Sequence, residues 1–190
     1  MLRIADVDGK SEARIKPVAD DDDTPIDWID KISAAWARDY PDVDTSTLSP
    51  ITRLVRLGVL MDTFQRETLE PYQLTPNDYS VLATLQRAGP PYELSPSDLY
   101  TALERSSGGM TKMLKRLEKL GLVRRTPALN DGRSRLVALT DSGFELQDEI
   151  FKLFLTRTKG LLQSVSSRQL EDIDNSLRIL LEAIESYFYR

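Results

Sequence analysis

Residues 94–140, LSPSDLYTALERSSGGMTKMLKRLEKLGLVRRTPALNDGRSRLVALT, contain nine of the 25 Lys and Arg in this 190-residue chain and only four of its 30 Asp and Glu. The segment is net +5 within a chain of net −5, so the remaining residues sum to −10. A strongly acidic chain has gathered its positive charge on one short periodic stretch, which is an electrostatic footprint for a polyanion. Charge alone is a weak signal, because a basic run is often only a solvated helix face. The order of elements adds to it.

Leu94 to Leu103 reads as a short amphipathic helix, with Ser95 as its cap and Pro96 in the first turn, where a missing N–H costs nothing. A tight segment follows, and Ser106 or Ser107 is placed to cap a second helix with apolar Met110, Leu114 and Leu117 at helical spacing. Thr111, Lys112, Lys115 and Lys119 fall on the opposite face. Gly121 stands where a helix end needs a left-handed residue, so the helix should stop near Leu120. Leu122–Thr126 and Arg135–Leu139 then read as two strands joined by a turn at Asn130-Asp131-Gly132. Helix, turn, basic helix and β-ribbon in that order predict a winged helix-turn-helix.

Composition narrows the chemistry. The chain has no Cys and no His, which removes disulfides, Cys/His zinc sites, thiol nucleophiles and Ser-His-Asp catalysis. It also removes thiol oxidation and the ordinary imidazole switch as sensing devices. Gly108-Gly109 before Lys112 lacks phosphate-loop spacing, and Asp20 to Asp23 lack the alternation and glycine of a calcium loop. No enzyme and no cofactor are expected. The first residues form no apolar signal region and no stretch approaches the ~20 apolar residues of a membrane span, so a cytoplasmic protein without a membrane partner is expected. Residues 1–25 are polar, acidic and poor in aromatics, and read as a mobile tail.

The words LTPNDYSVLATLQRAGPP, LSPSDLYTAL, SSGGMTKMLKRLEKLGLVRR and NDGRSRLVALTDSG, in that order, resemble the multiple antibiotic resistance regulator (MarR) family of bacterial transcription factors. The resemblance runs from about residue 26 to the C-terminus. It implies a mainly α fold with a small β-wing: a winged helix-turn-helix over about 73–140, flanked by dimerisation helices over about 27–70 and 141–190. Apolar residues at 51, 54, 55, 57, 60, 61 and 64, and the Phe144–Leu162 and Leu170–Tyr189 segments, fit helices that need a partner surface. A symmetric homodimer would set two recognition helices about 34 Å apart, facing a pseudo-palindromic operator in double-stranded DNA.

Residue types assign roles on that interface. Thr111, Lys112 and Lys115 are placed toward base edges, where lysine donates to guanine and the threonine methyl touches thymine. Arg116 and Lys119, further along, are assigned to phosphate, as are Ser95, Ser97 and Ser107 near helix N-termini. Arg133 and Arg135 flank the wing turn, from which a guanidinium enters the minor groove, and Asp131 matches the family's acidic wing position, which the resemblance implies orients Arg133. The competing reading is a winged helix used only for protein contact or dimerisation, in which apolar or acidic residues would replace Lys112, Lys115 and Lys119.

The resemblance also implies a sensor. DWIDKISAAWARDYPDVD looks like the extra first helix of the family's urate-responsive branch, which holds its ligand with a Trp, an Asp and two Arg. The Trp falls on Trp36 and one Arg on Arg125, but Ser80 and Met113 occupy the other two positions. Trp36, Ser80, Met113 and Arg125 are therefore the candidate ligand residues, for a small aromatic or phenolic anion more than for urate.

Overall fold

A computed structural model describes residues 27–103, 107–128 and 131–189, with side chains for all of these except 107, 108, 128 and 131–134. The expectations for the acidic tail, for Ser106 as a cap and for the Asp131–Arg133 pair lie outside what is described, as does the side chain of Ser107. The chain divides into two compact units between Met61 and Asp62, within one continuous helix.

The first unit holds α1 (Trp28–Asp39) and the opening turns of α2 (Leu48–Leu69). Asp27 caps α1: its carboxylate accepts the N–H groups of Ile29 and Asp30, while Asp30 returns a bond to the Asp27 N–H. This reciprocal box satisfies donors that the first turn leaves without partners. Arg53 of α2 then bridges both carboxylates, at 2.7 Å from Asp30 and 3.1 Å from Asp27.

The second unit contains the rest of the chain. A 3-10 turn over Glu70–Tyr72 leads to α3 (Pro76–Arg87), capped by Thr75 and Asp78 in the same reciprocal way and with proline in its first turn. After α3 come β1 (Glu93–Leu94), α4 (Pro96–Leu103), α5 (Ser107–Lys119), β2 (Val123–Ala128), β3 (Asp131–Leu139), α6 (Asp141–Leu161) and α7 (Ser167–Phe188). The sheet is antiparallel with order β1-β3-β2, and Leu94 pairs with Val137 while Val123 pairs with Leu139. The mainly α architecture with a small β-wing stands as expected.

Two details differ from the sequence reading. Leu94 belongs to a strand rather than to α4, because it adds an edge to β3 before Ser95 turns the chain. Sequence gave no sign of this third strand, since two residues are too few for alternation to show. The wing is also longer than read: Asp131 and Gly132 lie in β3, not in a turn, and a register irregularity at Pro127/Ala128 absorbs the difference. Proline there removes a ladder donor, which fits a break in regular pairing.

The core of this unit is built by Val81, Leu82 and Leu85 of α3, Leu99 of α4, Met110, Leu114 and Leu117 of α5, Val137 of β3 and Ile150 of α6, all fully buried. Each fully buried aliphatic side chain contributes on the order of 2 kcal/mol. α7, by contrast, buries none of its residues, and Leu170, Ile173, Leu177, Leu181 and Phe188 stay exposed along it. Among the described residues, no helix is long and apolar enough to cross a membrane.

Candidate nucleic-acid interface

α5 is sharply two-faced. Met110, Leu114 and Leu117 recur at i, i+4 and i+7 and are fully buried, which fixes how the helix rolls on the core. Thr111, Lys112, Lys115, Arg116 and Lys119 are therefore on the open side, and all five are exposed. Among the described ion pairs none involves Lys112, Lys115 or Lys119. Three ammonium groups on one helix face, none of them in a described ion pair, form a positive surface.

The helix ends as its sequence demands. Gly121 adopts φ +72°, and the Gly121 and Leu122 N–H groups bond back to the carbonyls of Glu118 and Leu117, both at 3.0 Å. That double return is the Schellman arrangement, which glycine reaches without a Cβ penalty. Thr140, the cap of α6, accepts the Gly143 N–H and donates its own hydroxyl hydrogen to the Gly121 carbonyl at 2.6 Å. The end of α5 and the start of α6 are thus joined at one knot of backbone.

Arg116 departs from its sequence assignment. Its guanidinium is ion-paired with Asp78 of α3, whose side chain is only 3% exposed, and donates to the Gln73 carbonyl at 2.6 Å. The group assigned to phosphate from its place on the helix is thus already paired with α3 and the turn before it, although its side chain is 43% exposed. Nothing in the spacing of α5 reveals this, because the partner lies 38 residues earlier. Ser95 and Ser97 also have local partners: Ser95 accepts the Asp98 N–H at 3.1 Å as the cap of α4, and the two hydroxyls share a hydrogen bond of 2.7 Å. Ser97 remains exposed. Arg135 is exposed on β3 opposite Pro127, and Arg124, which the sequence reading passed over, is exposed on β2.

The four candidate ligand residues do not converge on a described cleft. Trp36 belongs to the first unit, half exposed on α1, with its ring stacked on Tyr40 at 5.4 Å. In the second unit, Arg125 is tied to Glu118 of α5 at 2.8 Å, so its charge is already matched. Met113 lines a cleft of about 380 Å³ between α3 and α5, along with Lys112 and Arg116. Ser80 returns its hydroxyl to the Pro76 carbonyl and lines a different cleft.

That other cleft, of about 330 Å³, is walled by Tyr79, Phe151, Phe154 and Leu103, with Arg87, Gln65 and Ser80 among its polar groups. Tyr79 and Phe154 lie 5.2 Å apart at a tilt of 41°. Burial pushes the Tyr79 phenol up, partly offset by the Arg87 charge and a hydrogen bond with Gln147, so it remains a neutral hydroxyl at pH 7. Aromatic walls with one guanidinium suit a flat anion of small size.

The buried packing of α3, α4 and α5, a recognition helix with a cationic open face and a β-ribbon beside it define a winged helix-turn-helix protein. The comparisons agree. The MarR family profile matches residues 72–134. The HTH-type transcriptional regulator PecS of Dickeya dadantii is 32% identical over 159 residues, covering 84% of this chain and 93% of that protein. The multiple antibiotic resistance protein MarR of Escherichia coli is 31% identical over 105 residues, covering 55% of this chain and 71% of its own length. Among solved structures, a mutant of that MarR complexed with operator DNA aligns at a TM-score of 0.60 and 27% identity, over 70% of this chain and 94% of the other. AbsC, a MarR family transcriptional regulator from Streptomyces coelicolor, aligns at 0.63 and 25% over 76% and 97%. The chain belongs to the MarR family.

Proposed function

We propose that the protein is a transcriptional regulator that binds a pseudo-palindromic operator as a homodimer, with α5 in the major groove and the β2–β3 wing at the adjacent minor groove. The observation that carries this reading is the open face of α5, where Lys112, Lys115 and Lys119 project from a helix locked by its buried opposite face. Thr111, Lys112 and Lys115 read base edges, while Lys119, Ser97 and the N-termini at Ser95 and Ser107 hold phosphate. Arg133 and Arg135 serve the wing. Pure protein contact is disfavoured, since it would require apolar or acidic residues on that face. The exposed apolar stripe of α7 supports a second copy as partner.

Regulation follows as repression released by a small aromatic or phenolic anion. The cleft of Tyr79, Ser80, Arg87, Phe151 and Phe154 supports it, because ring stacking and a guanidinium fork coincide there. Urate fits poorly, since Ser80 and Met113 replace polar partners and Arg125 is held by Glu118. Trp36 is retained as a stacking candidate, tested by Trp36→Ala in a screen of aromatic acids for release of DNA.

Duplex titration across salt tests the central reading. With roughly six to ten phosphate contacts per dimer, affinity should fall about 10³- to 10⁵-fold between 50 and 200 mM salt. A flat salt response would remove DNA binding from this family member.

A further inference from the structure

We infer that Arg116, with Asp78, is a positioning pair that sets the recognition helix, and not a phosphate contact; the inference rests on the DNA-binding reading above. Asp78 occupies the third position of α3, and its carboxylate oxygen Oδ2 accepts the Thr75 N–H at 2.9 Å and the Thr75 hydroxyl at 2.8 Å. The same oxygen accepts from Arg116 Nη1. One buried carboxylate therefore both caps α3 and anchors α5.

The second anchor is the Gln73 carbonyl. Gln73 sits at φ 56°, a left-handed conformation that a residue other than glycine adopts only where its surroundings hold it. Its carbonyl takes Arg116 Nη2 at 2.6 Å. A planar guanidinium spans the two acceptors with its two Nη groups, which an ammonium point charge does not.

The placement on α5 gives this bracket its consequence. Gly109, Lys112, Met113 and Arg116 follow i, i+3, i+4 and i+7, a single stripe that lines the cleft against Thr75 and Asp78. Lys115 precedes Arg116 directly, and Lys112 lies one turn before it. A rotation of α5 about its axis moves Lys112, Lys115 and Arg116 together, so the bracket at Arg116 fixes where the base-reading side chains point. For Arg116 to reach a phosphate instead, Asp78 would be left as a buried carboxylate without a counter-charge, the more costly arrangement.

The experiment uses the full-length protein, a specific operator duplex and a random duplex of the same length, each titrated from 50 to 200 mM salt. Arg116→Gln, Arg116→Lys, Asp78→Asn and the double variant Asp78→Asn/Arg116→Gln are compared, after DNA-binding stoichiometry confirms the active fraction of each. Positioning predicts at least a tenfold fall in the ratio of specific to random binding for Arg116→Gln and Asp78→Asn. The salt slope and random-duplex affinity should hold, and the double variant should be no worse than either single change.

A phosphate contact predicts the reverse. The slope would then drop by about 0.9 for each lost contact, about 1.8 per dimer, with Asp78→Asn harmless and Arg116→Lys restoring affinity. That pattern would overturn the inference. Arg116→Lys keeps a cation beside Asp78 and so guards against loss of folding; under positioning it retains the slope but not the discrimination. A wild type that binds neither duplex would instead refute the DNA-binding reading itself.

Discussion

Gly143→Ala should be destabilising, for a reason visible at a single carbonyl. A Cβ on Gly143 would stand 1.9 Å from the Leu122 carbonyl oxygen and 2.9 Å from the carbonyl carbon. Backbone must therefore yield by about 1 Å before contact is tolerable. The oxygen in the way is also the acceptor of the Thr140 N–H at 3.1 Å, so moving it loosens the cap of α6. Overpacking of this kind costs about 1–3 kcal/mol, and the weakened backbone bond adds about 1 kcal/mol. Alanine recovers up to about 1 kcal/mol of helix propensity, leaving a net loss of roughly 1–4 kcal/mol. For a chain of this size that corresponds to a midpoint lowered by about 2–16 °C. Chemical denaturation at matched protomer concentration measures it, because a dimer's apparent stability depends on concentration. Gly160→Ala in the same helix is the control: nothing lies within 4 Å of its Cβ position, so it should be neutral or stabilising by up to about 1 kcal/mol. A Gly143→Ala protein within about 0.5 kcal/mol of wild type, or two glycine variants that shift alike, would refute the close-approach argument.

Three further outcomes are expected. Lys115→Ala should change preference among operator variants by about 1–3 kcal/mol at one base position, whereas Lys119→Ala should weaken all sequences alike; equal effects would mean that α5 is turned otherwise against the groove. Leu177→Asp, in the exposed stripe of α7, should shift the protein toward monomer in sedimentation and lose cooperative operator binding, while a dimer undisturbed by the charge would move the interface elsewhere. The Arg53 guanidinium beside Asp30 holds that carboxyl below the usual value near 3.8. Because its folded value is depressed, the contribution to stability is present above that value and lost as pH falls through the folded one; carboxyl NMR should show Asp30 titrating higher in Arg53→Ala.

Sequence is most informative here where one residue type has one physical reason to occur. The α5 stripe Met110, Leu114, Leu117 needed only helical spacing, and Gly121 only the left-handed requirement of a helix end, so both were legible. The charge contrast of residues 94–140 likewise pointed to the open face without any structure. What stayed hidden depends on distant partners. Arg116 and Lys119 look alike on a helical wheel, yet Asp78 separates them, and no local pattern in α5 contains Asp78. A partial sign did exist at the other end: Thr75-Pro76-Asn77-Asp78 is a capping box, which commits the Asp78 carboxylate to the fold, and its burial is what makes a counter-charge matter. Arg125 hid in the same way, since its match to a ligand position said nothing of Glu118 seven residues earlier. Arg87 in the aromatic cleft was missed because it ends α3 and reads as an ordinary cation favouring the helix dipole.

These partners also suggest how an effector would be felt at DNA. The recognition helix has two mounts: Arg116 fastens its flank to the start of α3, and the Gly121–Thr140 knot fastens its C-terminal end to the start of α6. α3 and α6 pack against each other, and the cleft carrying Tyr79, Ser80 and Arg87 of α3 with Phe151 and Phe154 of α6 lies between those same helices. A flat anion that wedged them apart would move one mount relative to the other and so turn or tilt α5. It releases DNA only to the extent that it binds the spread arrangement better, a coupling of about 1–3 kcal/mol being typical. Coupling then requires both mounts. Asp78→Asn should reduce the effect of an effector on operator binding even where the effector still binds, so measured effector affinity and measured DNA release come apart. Arg87→Ala, acting inside the cleft, should lower both together. If Asp78→Asn left DNA release intact while Arg87→Ala abolished it, the signal would have to leave the cleft through α6 alone.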